Sequence, residues 1–424
     1  MRTAFTPEQL GDPNIRAAEA SLRTCVHCGF CTATCPTYLL LGDERDGPRG
    51  RIALIQHMLE SDAPPAPETV RHIDRCISCL GCRTACPSSV DYADLVDTAR
   101  AHIERTYRRT WPDRLFRSFL AFVLPRPAVF RATLGIGRMF APVARLAPGR
   151  LGRMAARVPP AAASPRVDRG MPSPSKAAPR VALLPGCVQQ AVAPGIDAAA
   201  ARVLARAGVE PVALPAAGCC GALLFHMGRT RAAKRHMKRV LGAFARSDCE
   251  HATITATGCA AFLKDYPRHF RGEPEWEERA RSFAARVRDF SELAAISPAR
   301  KLPPLTIAYH APCSLTHGQR LSGQGEALLR AAGFKTVAIA EGEICCGAGG
   351  AYSLLQPDIA DALRARKRLH IRATGADCVA SGNVGCLAHL AGDGAPPMIH
   401  LAELLDWAGG GPAPATLAQE AGAR

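Results

Sequence analysis

The sequence predicts an α+β multidomain protein: a small helical N-terminal domain built on two cysteine loops, followed by two repeated α/β domains that each carry a Cys-Cys-Gly segment. Three observations predict it. One cysteine spacing occurs twice before residue 90, and a longer cysteine pattern occurs twice after residue 180. Through that second part, short apolar runs alternate with helical periodicity. The 424 residues are enough for about two to four domains.

The first loop reads Cys25-Val-His-Cys28-Gly-Phe-Cys31-Thr-Ala-Thr-Cys35-Pro36, and the second reads Cys76-Ile-Ser-Cys79-Leu-Gly-Cys82-Arg-Thr-Ala-Cys86-Pro87. Both are C-x2-C-x2-C-x3-C-P. That spacing holds a 4Fe-4S cube, with the fourth cysteine of each run ligating the other run's cluster. Two-residue gaps turn the backbone tightly enough for three thiolates to reach three corners of one cube. The last cysteine points away, and the proline is expected to stop the loop from becoming a helix. Pairing across the runs gives Cys25, Cys28, Cys31 and Cys86 for one cluster, and Cys76, Cys79, Cys82 and Cys35 for the other. A zinc site would need only four cysteines. Eight in two such runs favour iron–sulfur, and cubes about one cube-width apart suit electron hopping. His27 and Arg83 lie inside the loops, where they could tune a potential; the plainer reading of both is an exposed loop side chain. Arg51–Glu60 and Val90–Arg108 have helical apolar spacing. Residues 1–110 therefore read as a helical, ferredoxin-type domain: helix, loop, helix, loop, helix.

Residues 111–179 connect. The stretch 111–157 has nine arginines (114, 117, 126, 131, 138, 145, 150, 153, 157) and one acid, Asp113, among many apolar residues. Such a basic amphipathic segment can lie on a membrane surface or dock a partner. Connecting helices packed on the ferredoxin-type domain are the plainer reading, because Pro125 and Pro127 break any long helix. Residues 158–179 read as a Pro/Ala/Ser linker.

Residues 180–300 and 301–410 are the two repeats. The first has Cys187, Cys219-Cys220-Gly221 and Gly258-Cys259; the second has Cys313, Cys345-Cys346-Gly347 and Gly385-Cys386. The first cysteine precedes the pair by 32 positions in both, and the pair precedes the last cysteine by 39 and 40. Strands are expected at Arg180–Pro185, Glu210–Leu214 and Ala252–Ala256, and at Leu305–His310, Lys335–Ala340 and Cys378–Ser381, with helices between. Alternating βαβ units mean a parallel sheet with its sites beyond the strands' C-terminal ends. Each repeat then gathers four thiols as a candidate metal or cluster site: Cys187, Cys219, Cys220 and Cys259, and Cys313, Cys345, Cys346 and Cys386. The alternative is empty sites lining an interdomain face. The glycine after each pair lets the backbone approach a bulky group or take a positive φ. Cys249 and Cys378 read as small buried residues. Of the histidines near these sites (His226, His310, His317 and His389), His389 is placed to be a ligand, although a structural role is the commoner outcome.

Composition narrows the function. Of the 18 cysteines, most fall in tight runs and adjacent pairs, a pattern expected of metal-binding or catalytic thiols in a reducing compartment rather than of disulfides. The first residues have no signal-peptide core, and no stretch reads as a membrane span. The formal charge of +16 is dispersed, without the basic runs interleaved with aromatics that nucleic-acid binding would show. Neither a GxGxxG after a strand, nor a P-loop, nor a nucleophile–His–acid pattern is present, so no flavin or nucleotide site of its own is expected.

The segments CVHCGFCTATCPTYLLLGDERDGPRGRI, CISCLGCRTACPSSVDY and VLPRPAVFRA, with the repeat motifs AGCCGAL, TGCAAF, HAPCSLTHGQRL, CCGAGGAY and SGNVGCLAHL, resemble the iron–sulfur subunits of glycolate oxidase over nearly the whole chain. Heterodisulfide reductase subunits, an anaerobic glycerol-3-phosphate dehydrogenase subunit and lactate-utilisation proteins share the wider pattern; DGPRGR and PRPAVFRA favour the glycolate family. The resemblance implies an electron-transfer subunit beside FAD-containing dehydrogenase subunits that oxidise glycolate to glyoxylate. Electrons would leave singly to an acceptor other than oxygen, such as a membrane quinone. The implied location is the cytoplasm or the inner face of the inner membrane. The alternative is a disulfide reductase acting through a Cys-Cys-Gly cluster. Such domains often end in Cys-x-x-Cys, and here Phe262 and His389 stand at the last positions, so each site lacks one thiolate.

Overall fold

Two four-stranded parallel sheets organise the second part of the chain. The computed structural model describes residues 1–144, 152, 158, 178–392 and 394–417. Arginines 145, 150, 153 and 157, and the linker between 158 and 178, lie outside the described residues.

The first sheet contains β1 (Arg180–Leu183), β2 (Glu210–Ala213), β3 (His251–Ile254) and β4 (Val287–Asp289) in the order β2-β1-β3-β4. The second contains β5 (Thr306–Tyr309), β6 (Lys335–Val337), β7 (Cys378–Ser381) and β8 (Met398–His400) in the order β6-β5-β7-β8. All neighbouring strands are parallel. The central strands are covered on both faces: Val181, Ala182, Ile307, Ala308, Val379 and Ala380 are all buried, as continuous apolar runs in parallel sheets should be. From β1 the chain moves to one side for β2 and to the other for β3. The switch point therefore lies beyond the C-terminal ends of β1 and β3, where α/β sheets carry their sites. The sequence reading placed three strands per repeat. The outer strands β4 and β8, of three residues each, are additional to those.

The two repeats share a core. Ile196, Ala199, Val203 and Leu204, from the helix Gly195–Arg206, pack with Ile307, Tyr309, Leu329, Leu401, Leu404 and Leu405 of the second repeat. Each fully buried Ile, Val or Leu among them stabilises the fold by about 1.5–3 kcal/mol. Asp406 closes the seam, accepting from Arg202 at 2.6 Å and Arg206 at 2.8 Å. Thr257 N–H donates to Gly382 O at 3.2 Å, and His400 Nε2–H donates to Thr255 O at 3.1 Å.

The N-terminal region is helical: Pro13–Thr24, Pro48–Ser61, Pro67–Asp74 and Tyr92–Thr106 surround the two cysteine loops. Leu22, Ile55, Ile73, Leu95 and Ile103 form their core with no exposed surface. Charged contacts tie this region to the first repeat. Arg268 reaches Asp94 and Asp97 at 3.0 Å each, and Arg271 reaches Asp94 at 2.9 Å.

Residues 111–144 form two helices, Trp111–Val123 and Pro127–Ala144, bent by 119° at the prolines. No single helix among the described residues is long and apolar enough to cross a membrane. The plainer expectation placed this segment against the ferredoxin-type domain. Its apolar inner face instead packs on the repeats: Leu120 and Leu124 meet Met227, Ala351 and Leu355. Its polar end meets the N-terminal domain, where Arg117 reaches Asp74 at 2.9 Å and Asp113 faces Arg109 at 3.4 Å. The outer face leaves Trp111, Leu115, Phe122, Ile136, Met139, Phe140 and Val143 more than half exposed.

Candidate metal centres

Each cysteine loop turns by the same device. The third and fifth residues of each run, His27 and Gly29, Ser78 and Leu80, all have φ between 57° and 87°. An L residue pays about 1–2 kcal/mol for that left-handed geometry, so three of these four positions are held in strain by the loop's function or packing. Pro36 does not prevent a helix. It starts one, at the first position of Pro36–Leu41 with Cys35 as N-cap, because its missing N–H costs nothing there. Pro87 sits in a turn.

The loops enclose two adjoining hollows. The first is lined by Cys25, Cys28, Cys31 and Cys86, with Ile52 and Pro87. The second is lined by Cys35, Cys76, Cys79 and Cys82, with Arg51 and Ile77. Cys82 and Tyr92 line both. The donors are soft thiols, which suit iron–sulfur groups, zinc or Cu(I). Their spacing separates these choices. Among the described residues, the groups of three candidate donors drawn within 4.8 Å of one another are His310/Cys346/Cys386 and Asp43/Asp46/His72, and neither includes a loop thiol. The loop thiols are thus spread more widely than the ligands of one tetrahedral ion, whose sulfurs lie about 3.8 Å apart. The residues present fit a cluster. Burial pushes the Cys31 thiol up to about 11 and also raises Cys79 and Cys82 well above the ordinary thiol value, so metal binding here must displace protons.

Buried arginines stand beside the second hollow, and sequence reasoning missed them. Arg51 is 1% exposed. It donates to His72 O at 2.7 Å and Thr37 Oγ1 at 3.1 Å, and its Nη1 lies 4.0 Å from Cys35 Sγ. Burial opposes its charge, but Cys76, Tyr92, Cys35 and Asp46 more than offset this and raise its pKa. Asp46 is enclosed by Arg51, His72 and Arg75 at 3.4, 2.9 and 2.7 Å, so its grouping with Asp43 and His72 is an ion-paired network rather than a cation site. Arg100 donates to Cys76 O at 2.5 Å and Ser78 Oγ at 2.6 Å. His27 is exposed, and the half-buried Arg83 is paired with Asp91 at 3.4 Å.

In the first repeat, Cys187 lies in the loop after β1, Cys219 and Cys220 follow β2, and Cys259 sits in the first turn of Thr257–Lys264. Cys220 Sγ and Cys259 Sγ are 3.3 Å apart. Contacts from Cys187 and Cys220 hold the Cys219 thiol well below its usual range. Phe262 fills the place of a last thiolate, stacked on His269 at 4.6 Å and edge-on to Tyr266 at 5.6 Å. In the second repeat, Cys313 Sγ and Cys345 Sγ are 3.7 Å apart, and Asn383 Nδ2 donates to Cys386 Sγ at 3.2 Å. The glycines after the pairs, Gly221 and Gly347, have φ of 93° and 92°. A Cβ there would meet the carbonyls of Ala233 and Ala360 at 3.0 and 2.9 Å. Each glycine thus lets the backbone pass close to a helix, Thr230–Ala245 in the first repeat and Pro357–Ala373 in the second. Cys249 and Cys378 are buried in the repeat cores. No disulfide joins any of the 18 cysteines.

Three of the nearby histidines are otherwise engaged. His389 Nε2 donates to Ala360 O at 3.2 Å. His317 Nε2 donates to Glu343 O at 3.2 Å, so its Nδ1 accepts from Thr84 Oγ1 at 2.8 Å. His226 faces Asp97 at 3.4 Å. The second hollow and the second repeat meet directly: Cys79, Cys313 and Cys345 pack in one cluster with Ile77, Tyr352 and Leu363.

Residues 21–90 match the 4Fe-4S dicluster domain, and residues 181–264 and 307–391 match the cysteine-rich domain. Over 416 residues the chain is 36% identical to the glycolate oxidase iron-sulfur subunit of Escherichia coli, covering 96% of this chain and 99% of that one. It is 29% identical over 422 residues to the probable glycolate oxidase iron-sulfur subunit of Bacillus subtilis, covering 92% and 94%. The lactate utilization protein A of Geobacillus thermodenitrificans is 31% identical over 240 residues, covering 54% of this chain and 98% of that one. A crystal structure of a hypothetical protein from Helicobacter pylori shares the fold, with a TM-score of 0.55 at 11% identity over 98% of this chain and 75% of that one. The duplicated cysteine loops, the paired repeats and a relative matched from end to end agree: this chain belongs to the family of glycolate oxidase iron–sulfur subunits.

Proposed function

We propose that this chain is the electron-transfer subunit of a flavin-dependent glycolate dehydrogenase, working beside FAD-containing subunits and delivering electrons to a non-oxygen acceptor, a membrane quinone. In this reading Cys25, Cys28, Cys31 and Cys86 hold one 4Fe-4S cluster, and Cys76, Cys79, Cys82 and Cys35 hold the second. The thiols of the repeats (Cys187, Cys219, Cys220 and Cys259; Cys313, Cys345, Cys346 and Cys386) hold further metal. Bound clusters would supply one-electron relay. The chain's own residues supply the rest: Ile77, Tyr352 and Leu363 keep water from Cys79 and Cys345, and Arg51 and Arg100 set positive charge against Cys35 and Cys76. The sequence units are 1–110, 111–179, 180–300 and 301–410, the last two joined through one core.

The observation that carries the reading is the contiguity of the thiol sites. Cys82 lines both hollows, and Cys79 adjoins Cys313 and Cys345. The exposed apolar stripe of residues 111–143, with Arg114, Arg126 and Arg131 exposed around it, is the face we assign to an anionic membrane surface on the cytoplasmic side. A disulfide reductase is not favoured, since Phe262 and His389 are committed elsewhere. The test is iron and sulfide analysis with electron paramagnetic resonance on the chain purified without air. At least about eight irons are expected, four per cube, with glycolate oxidation only when the flavoprotein is added. Zinc in the loops, or glycolate oxidation by the chain alone, overturns the reading.

A further inference from the structure

His310 has no conventional reason to be a histidine. It follows β5 and is 3% exposed, yet neither ring nitrogen has a hydrogen-bond partner. Burying an unpaired polar ring costs about 1–3 kcal/mol. The repeat symmetry shows what packing alone would place there. His310 N–H donates to Ala380 O at 2.8 Å, and in the first repeat Leu184 N–H donates to Thr253 O at 2.8 Å. Both residues lie three before the first cysteine, Cys313 or Cys187. A buried leucine fills this place in one repeat, and an imidazole fills it in the other.

The imidazole faces sulfur. A ring nitrogen of His310 and the thiols of Cys346 and Cys386 all lie within 4.8 Å of one another, and all three residues are buried. We propose that the second repeat binds its metal through His310 together with Cys346 and Cys386, as a mixed nitrogen–sulfur site for a thiophilic first-row metal, zinc or iron. Tetrahedral zinc sites combine one histidine with two or more cysteines in this way. The hydrogen bond from Asn383 to Cys386 Sγ would orient that ligand. Lys367, 3% exposed and held by Glu341 O and Gly342 O, adds a buried amine that offsets thiolate charge. The inference rests on the reading of the second repeat as a metal site.

The test is metal analysis and X-ray absorption on the full chain purified without air, at the edge of the metal that Cys346→Ser and Cys386→Ser lose. His310→Leu copies the first repeat and is expected to fold. It should lose that same metal while the resonance signals of the N-terminal clusters persist. His310→Cys should keep the metal and replace nitrogen scattering by sulfur. Retention of the metal with unchanged scattering in His310→Leu overturns the assignment of His310. If neither cysteine variant loses metal, the second repeat holds none and the underlying reading falls instead.

Discussion

Replacing Arg51 by methionine should lower the reduction potential of a cluster held in the second hollow. The guanidinium Nη1 lies 4.0 Å from Cys35 Sγ. A metal on that sulfur sits roughly 2.3 Å beyond it, which puts the body of a cluster about 8 Å from the positive charge. At an effective dielectric constant near 20, one charge stabilises an added electron at that distance by about 2 kcal/mol. For a one-electron couple this is about 90 mV, taking 59 mV per tenfold change. Because Arg51 is 1% exposed, salt should screen little of the effect. Asp46 remains paired with Arg75 and His72 at 2.7 and 2.9 Å, so the variant leaves no isolated buried charge. Arg51→Lys keeps the charge and serves as the control. Redox titration followed by electron paramagnetic resonance should show one potential falling in Arg51→Met and little change in Arg51→Lys. Full iron content with every potential within about 20 mV of wild type would refute the reasoning.

Four further outcomes are expected. Cys86→Ser should lose about four irons and leave the second hollow's signal, as measured by iron analysis. His400 is buried completely, which pulls its imidazole from 6.5 down to about 4; its stability contribution is full above about pH 6.5 and is lost as pH falls through 4. Urea unfolding between pH 7.5 and 5 should therefore show a loss of stability that is smaller by about 2 kcal/mol in His400→Asn, which retains a cap. Gly347→Ala must hold φ near 92° with its Cβ against Ala360 O, costing at least about 1–2 kcal/mol and lowering Tm in a thermal scan. Met139→Glu with Phe140→Glu should reduce sedimentation with anionic lipid vesicles tenfold or more, since each side chain buries about 1.5–3 kcal/mol of apolar surface on insertion; unchanged binding would remove the membrane assignment.

The thiol spacings and the βαβ alternation were legible because both are local. A two-residue gap between cysteines constrains the loop that carries them, and apolar periodicity reports which face of an element is covered. Arg51 was visible only as the first residue of an apolar helix, and nothing in its neighbours announces that Asp46 and Cys35 fold back onto it. The same holds for the inner face of Trp111–Val123. Its amphipathic pattern required a packing partner but did not say that Met227 and Ala351 provide it.

By itself, then, the chain determined two cysteine loops of cube-binding spacing, two α/β repeats and a basic connector. Tertiary structure alone decided the rest: the joint core of the repeats, the abutment of Cys79 on Cys313 and Cys345, and the isolation of His310 among thiols. The physical reason is sequence distance. Residues more than 200 positions apart, such as Cys79 and Cys313, meet only through packing of whole elements, and no local pattern encodes which elements will pack.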